Sequence, residues 1–216
     1  MTREELIKKV ALKMDEISSS DDVIVPVGTG DNNPLYTQIN SLLNESVNDA
    51  LMKAPIYRIE NQVDSIITFN PVGIFGNKRK AAVFTLSEMF LRLVSITDNA
   101  FQRPIVELAI EGDDVAKKQY NKFLVAKSAK PVAVIGHGNG TERIITCYSY
   151  GENDTPNPTL RYVKRYNNST DTSADTDLDE YMIDLVSWVC AGKVFAAHGD
   201  MAKGKICDEN AAALMI

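Results

Sequence analysis

Residues 178–198, LDEYMIDLVSWVCAGKVFAAH, form the longest uninterrupted helical pattern in the chain. Apolar residues fall at Leu178, Met182, Leu185, Val189 and Phe195, with Tyr181, Trp188 and Ala196 beside them. That spacing draws a wide apolar stripe down one helix. Asp177 stands at a cap position and Glu180 follows three residues later, the reciprocal capping-box arrangement. Gly199 ends the pattern, where a residue with positive φ is usually needed. The pair Ala191-Gly192 thins the middle, so a second helix can approach there. A stripe this broad needs partner helices. The best candidates lie far upstream, so the two ends of the chain should pack together and carry everything between them as an insertion.

The upstream partners are readable. Thr2 and Glu5 have capping-box spacing. Leu6, Val10, Met14 and Ile17, with Ile7 and Ala11 alongside, give a first helix one apolar face, and Ser18-Ser19-Ser20-Asp21-Asp22 breaks it. Val23-Ile24-Val25 has an extended pattern and 28–32 reads as a loop. Asn33-Pro34 then starts a second helix, since Asn caps well and Pro suits the first helical position. Leu35, Ile39, Leu42, Leu43, Val47, Ala50 and Leu51 form its buried face, and Ala54-Pro55 stops it. Leu185 and Trp188 are expected to be buried against Ile39, Leu43 and Val47.

From Ile56 the pattern changes to short β-branched or aromatic runs: Ser65–Phe69, Ala81–Phe84 and Phe90–Ile96. Asn70-Pro71 and Gly76-Asn77 separate them. Arg103–Leu108 is a further strand candidate, and Asp113 to about Phe123 reads as a short helix capped by Asp113. Val132–Ile135 and Arg143–Tyr148 flank His137-Gly138-Asn139-Gly140 as a hairpin. Leu160–Tyr166 alternates and would close the sheet. Residues 167–176, NNSTDTSADT, read as a polar linker back to the long helix. The expected class is α+β: a helical bundle of residues 1–62 and 167–216, with a β-rich insertion at 63–166.

The chemistry-bearing residues do not form a site. The histidines are His137, in a turn, and His198, at a helix end where the dipole favours partial positive charge. No His, Cys or carboxylate cluster has metal-ligand spacing, so neither metal nor cofactor is expected. Gly136-His-Gly-Asn-Gly140 leads into a strand, not into the helix that a dinucleotide fingerprint must open. Gly76-Asn77-Lys78-Arg79-Lys80 lacks the hydroxyl residue and helix of a phosphate loop. No serine or cysteine sits in a nucleophile-elbow context. Cys147, Cys190 and Cys207 have no paired spacing and read as reduced thiols. No window approaches a membrane span, and MTREELIKK lacks the apolar run of a signal peptide. The formal net charge of −6 disfavours a grip on the nucleic-acid backbone.

One ordered set of segments resembles a known family. Phe84–Ile96, FTLSEMFLRLVSI, is followed by Phe101-Gln102-Arg103-Pro104-Ile105-Val106-Glu107, then Gln119-Tyr120-Asn121, Lys130-Pro131-Val132-Ala133 and the strand from Ile145 to Tyr150. This order resembles the β-rich insertion of head–tail connector (adaptor, or neck ring) proteins of tailed bacteriophages. There, a Phe-Leu-Arg-Leu-Val-Ser strand leads to an Arg-Pro-Val-x-Glu strand, then to a short helix and a Lys-Pro-Val strand. The helix Tyr181–Ala197, Gly199-Asp200 and a terminal helix look like the end of such adaptors, and the chain is similar to the ring proteins of crAss-like phages. The resemblance runs from Leu6 to Leu214. It departs at Leu86-Ser87-Glu88, where the family more often has proline and aspartate.

The resemblance implies a non-enzymatic structural subunit of a ring, twelvefold, docked on the portal protein. Its other partners would be neighbouring copies, further neck or tail proteins, and DNA passing without specific binding. Its location would be the virion neck, after synthesis in the bacterial cytoplasm. The acidic balance suits a conduit that must not hold its cargo. Lys203, Lys205, Ile206, Leu214, Met215 and Ile216 are the candidate portal contact, because adaptors of this kind dock through their C-terminal segment. The other course for that segment is to fold back on the bundle, with Ile206 and Leu214 along an apolar face. Asn77, Lys78, Arg79 and Lys80 are the candidate contact with neighbours. The alternative functions are a protein-binding adaptor that forms no ring and an enzyme with a site built from scattered residues.

Overall fold

The structure, a computed structural model, describes residues 1–17, 34–74, 79–138 and 141–216. The class is α+β, with helices at both ends of the chain and a strand-rich region between them. The chain divides into two compact units, Met1–Glu60 with Tyr166–Ile216, and Asn61–Arg165.

Among the described residues, the first unit is built on four α-helices: α1 (Arg3–Ile17), α2 (Pro34–Lys53), α4 (Glu180–Ala197) and α5 (Met201–Leu214). Helix α4 packs against α1, α2 and α5. Its burial therefore runs well beyond one stripe, from Met182 and Ile183 through Leu185, Val186 and Val189 to Val194 and Phe195. Ser187 is tolerated there because its hydroxyl donates back to the Ile183 carbonyl at 2.6 Å. Helix α1 contributes Leu6, Ile7, Val10, Ala11 and Met14, and α2 contributes Ile39, Leu43, Val47, Ala50 and Leu51. Ion pairs rim these contacts: Lys193 with Glu45 and Asp49, both at 2.6 Å, and Lys9 with Asp184 at 2.7 Å.

The termini of these helices follow their local chemistry. The Thr2 N–H donates to Glu5 Oε2 at 2.8 Å and the Glu5 N–H to Thr2 Oγ1 at 3.3 Å, the reciprocal box expected from the sequence. Gly199 takes φ +82° and the Asp200 N–H closes on the Phe195 carbonyl at 3.0 Å, which ends α4. The start of α4 differs from expectation. Asp179, not Asp177, is the cap, accepting from the Met182 N–H at 2.8 Å. Asp177 turns the chain with φ +51°, a conformation that Asp tolerates better than most residues. Trp188 is also a correction. Unlike Leu185, it is only half-buried, and Lys13 Nζ lies 4.8 Å from its ring centre. A large amphipathic ring is rarely fully enclosed, and here the α1 lysine covers its outer face.

Among the described residues, the second unit holds two sheets. One has three strands in the order β1 (Val63–Ile66), β8 (Thr159–Lys164), β4 (Phe90–Thr97). The other has five: β2 (Asn70–Ile74), β3 (Arg79–Thr85), β7 (Arg143–Cys147), β6 (Ala133–His137), β5 (Leu108–Ile110). Their pairings are antiparallel except β5–β6, which is parallel. Ala82, Phe84, Ala133, Ile145 and Cys147 from the larger sheet share one core with Phe90, Ile96, Leu160 and Tyr162 from the smaller. The next residues along, Ala81, Val134 and Tyr148, point to the opposite face and pack with Ala116 and Val125. The two-residue alternation of a strand thus serves two cores from one sheet.

Several strand expectations change. Asn70-Pro71, expected as a separator, opens β2. Pro71 is admissible because β2 is an edge strand. Strand β8 closes nothing; it is the middle strand of the smaller sheet. Of Arg103–Leu108, Ile105 makes an isolated bridge with Ile96, and Leu108 opens β5. The hairpin of β6 and β7 forms as expected, while Asn139 and Gly140 at its tip lie outside the described residues. The short helix α3 covers only Asp114–Lys118. Asp113 precedes it without a side-chain cap bond, its carboxylate instead accepting from the Ile110 N–H at 3.1 Å.

Candidate assembly surfaces

The C-terminal residues expected at a portal contact all lie on or just after α5. That helix packs on α4 through its small residues Gly204, Cys207 and Ala211. A Cβ on Gly192 would sit 3.2 Å from Cys207 Cβ and 3.5 Å from the Gly204 carbonyl oxygen. The helices therefore meet backbone to backbone, which only glycine at 192 permits without movement. Helix α5 thus takes the fold-back course, but through this small-residue face and not through Ile206 and Leu214. Ile206 is exposed, Leu214 and Met215 are half-buried, and Ile216 is 98% exposed. Lys203 pairs with Asp200 at 3.3 Å and lies over the Phe195 ring, while Lys205 reaches Glu209 at 3.7 Å.

Of the four residues expected to meet a neighbouring copy, Asn77 and Lys78 lie outside the described residues, as do the expected break and extended run at 18–32. Arg79 and Lys80 open β3, opposite Ile74 and Gly73. Lys80 Nζ donates to the Asp154 carbonyl at 2.9 Å. Arg79 lines a cleft of about 360 Å³ with Lys127, Ser149, Tyr150 and Glu152. Lys80 is thus held by its own unit, and both cations are half-buried.

The residues expected as a polar linker form a pinned strap. Asn40, Asn44 and Asn48 lie one helical turn apart on α2, so their side chains line one face. Their amides donate to the carbonyls of Thr170 at 3.1 Å, Asn168 at 3.0 Å and Tyr166 at 2.9 Å. Asn48 Oδ1 accepts in return from the Tyr166 N–H at 2.8 Å. Arg3, only 1% exposed, locks the ladder. Its Nε donates to Asn40 Oδ1 at 2.5 Å, Nη1 to Asn44 Oδ1 at 2.8 Å, and Nη2 to the Asn40 carbonyl at 2.9 Å. Burial pulls the guanidinium's pKa below its ordinary value, opposed by Tyr166. The Arg3 and Glu4 N–H groups donate to the Ala174 and Thr172 carbonyls, both at 2.9 Å. The strap thereby holds Asp171, Asp175, Asp177 and Glu180 at exposed positions. Local hydrogen bonds to Ser173 and to Asp177 pull the Asp171 and Asp175 pKa values down.

A second surface, which sequence reasoning missed, follows α3. Ala116 and Val125 anchor residues 115–126 to the sheet, and the buried Gln119 fixes the turn between them. Its amide donates to the Val115 carbonyl at 2.8 Å and its oxygen accepts from the Ala126 N–H at 2.9 Å. The turn presents Tyr120, Phe123 and Leu124, which are 67%, 79% and 58% exposed. Beside it, a groove of about 690 Å³ follows the edge strand β5, lined by Pro104, Val106, Leu108, Val115 and Pro131. The signal was present in the sequence as lysines interleaved with aromatic residues, but the segment to about Phe123 read as a short helix.

The cysteines are buried, and burial pushes the Cys190 and Cys207 thiols up to about 11 and Cys147 higher still. The Tyr150 hydroxyl donates to Asp98 Oδ2 at 3.0 Å, and burial together with that carboxylate pushes its pKa up. Among the described residues, no group of three or more His, Cys, Asp and Glu side chains could hold a metal ion, and no helix is long and apolar enough to cross a membrane. A scan against protein-family models gives no match, and a search of curated protein sequences gives none either.

Proposed function

We propose that this chain is a structural subunit of a bacteriophage head-to-tail connector ring, docked on the portal protein and forming part of the DNA conduit to the tail. The observation that carries this reading is the arrangement of its segments. The ordered motifs that resemble the connector insertion lie in one β-rich unit between Asn61 and Arg165, and both chain ends supply the helical unit. A second support is surface chemistry. The turn at 120–124 exposes large apolar side chains from a fixed backbone, as a covered surface does. The exposed Ile206 and Ile216 give α5 and its end apolar anchors for a groove on the portal. In this reading the protein resides in the virion neck, and its net charge of −6 keeps passing DNA from adhering.

The reading is tested by co-expression with the portal protein of the same phage. A complex carrying a closed ring of copies supports it. Purification of the two proteins without association refutes it. A one-to-one complex without contact between copies favours the adaptor that forms no ring.

A further inference from the structure

We propose that the basic, aromatic turn at residues 115–130 docks on the acidic strap 166–180 of a second copy of this chain, joining copies head to tail. The inference rests on the ring reading and names the contact between neighbours.

The two surfaces are opposite in charge. Between Asp114 and Glu142 there is no carboxylate, and Lys117, Lys118, Lys122, Lys127 and Lys130 fall in that stretch. Lys117 lies 3.8 Å from Asp114, and among the described residues the other four lysines have no carboxylate within 4.0 Å. Between Arg165 and Lys193 there is no Lys or Arg, while Asp171, Asp175, Asp177, Asp179, Glu180 and Asp184 fall there. Asp175 meets the N-terminal ammonium at 3.3 Å and Asp184 pairs with Lys9, whereas Asp171 and Glu180 have no cation within 4.0 Å among the described residues. Both surfaces are held before any partner arrives: Gln119 fixes the turn, and Asn40, Asn44 and Asn48 fix the strap. Neither side needs to order a loop on contact, which lowers the cost of association.

The complementarity also admits the closed repeat that the ring reading requires. A patch of lysines cannot face its own copy across a twofold axis without like-charge repulsion. A basic patch meeting a different, acidic patch is a heterologous contact, which repeats around a ring if the rotation closes. Tyr120, Phe123 and Leu124 supply apolar area at the centre, with lysines around them, the usual layout of an interface core and rim. A nucleic-acid strand is the other polyanion that such a turn suits. The copy is preferred because its matching acidic surface is part of the same molecule, whereas the chain's net charge of −6 repels a polyanion.

The test uses the full chain in sedimentation velocity at roughly 100 µM, in about 50 mM and about 500 mM salt, where screening differs strongly. One variant carries Lys118→Glu, Lys122→Glu and Lys127→Glu; the other carries Asp171→Lys and Glu180→Lys. Wild type should self-associate, more weakly in high salt. Each variant alone should associate at least about tenfold more weakly, as loss of interfacial charge pairs does. An equimolar mixture of the two should recover association, because each reversed surface then meets its complement. Phe123→Ser, a change at an exposed position, should also weaken association about tenfold with an unchanged melting temperature. It serves if a charge variant fails to fold.

Association that neither charge variant nor Phe123→Ser alters overturns this contact and leaves the ring reading standing. A wild type that stays monomeric in low salt also overturns it, and portal docking is then judged separately by co-purification. Binding of a single-stranded oligonucleotide that the lysine variant abolishes, without self-association of the protein, overturns it in favour of a nucleic-acid surface.

Discussion

Arg3 Nε donates to Asn40 Oδ1 at 2.5 Å, joining the first turn of α1 to the middle of α2. Through Asn40 and Asn44 the same guanidinium supports the strap that leads back to α4. One buried cation thus organises three segments distant in sequence. Its planar fork matters, because it serves two side-chain oxygens and one backbone carbonyl at once. Arg3→Ala should lower unfolding free energy by about 2–4 kcal/mol, since buried amide oxygens lose a charged donor. Arg3→Lys should recover little of this. Urea denaturation measures both, and a loss below about 0.5 kcal/mol would place the network outside the core of the fold.

The helix crossing at Gly192 makes a contrasting pair of predictions. Gly192→Ala puts a methyl 3.2 Å from Cys207 Cβ, and relief requires moving α5. It should cost about 1–3 kcal/mol, as overpacking does. For Gly204→Ala, the nearest atom to the new methyl is the Gly192 carbonyl oxygen at 3.4 Å, an ordinary contact. That change should be neutral or should stabilise by up to about 1 kcal/mol through helix propensity. Thermal melts of the two variants should move apart, and equal shifts would contradict the close crossing.

The thiols predict an alkaline limit. Burial raises Cys190 and Cys207 from 9.0 to about 11 in the folded protein. Above pH 9 the unfolded chain releases these protons while the folded chain retains them, so stability falls as pH rises from 9 towards 11. Below pH 9 the two thiols leave stability flat. Unfolding midpoints across pH 8–11 check this, and replacing Cys190 with Ala should flatten part of the slope. All three thiols should also resist a thiol reagent at pH 8 until denaturant is added.

Much of the α-helical unit was legible because its signals are local and periodic. The Thr2–Glu5 box, the Pro34 start and the Gly199 stop each rest on a few neighbouring residues. The strap was not legible. Asn40, Asn44 and Asn48 look like the solvated face of an amphipathic helix, and their partners are backbone carbonyls, which leave no mark in a sequence. Strand β2 was hidden by Pro71, since proline argues against a strand unless an edge is available, and edges are decided by the whole sheet. The turn at 115–126 was hidden in another way. Its apolar spacing suits a helix, but Gln119 bonds to both sides of a turn and ends α3 at Lys118. At the C-terminus, the sequence drew attention to the large apolar residues, whereas close helix packing selected Gly204, Cys207 and Ala211.

That selection gives a clean separation of stability from docking. Removing Met215 and Ile216 takes away a half-buried and a fully exposed residue, so the melting temperature should stay within about 2 °C of wild type. Ile206→Asp should behave likewise. Both should weaken portal binding at least about tenfold if the exposed face of α5 is the anchor. Truncation from Ala211 should instead cost stability, because that side chain is buried against α4.

The central claim is that copies of this chain assemble as a ring on a portal. Native mass spectrometry of the chain co-expressed with the portal protein counts the copies directly. The account predicts a single dominant complex with twelve copies of this chain per portal ring, which loses this chain when Met215, Ile216 and Ile206 are altered together. A portal that emerges bare, beside a monomer of this chain, would contradict it.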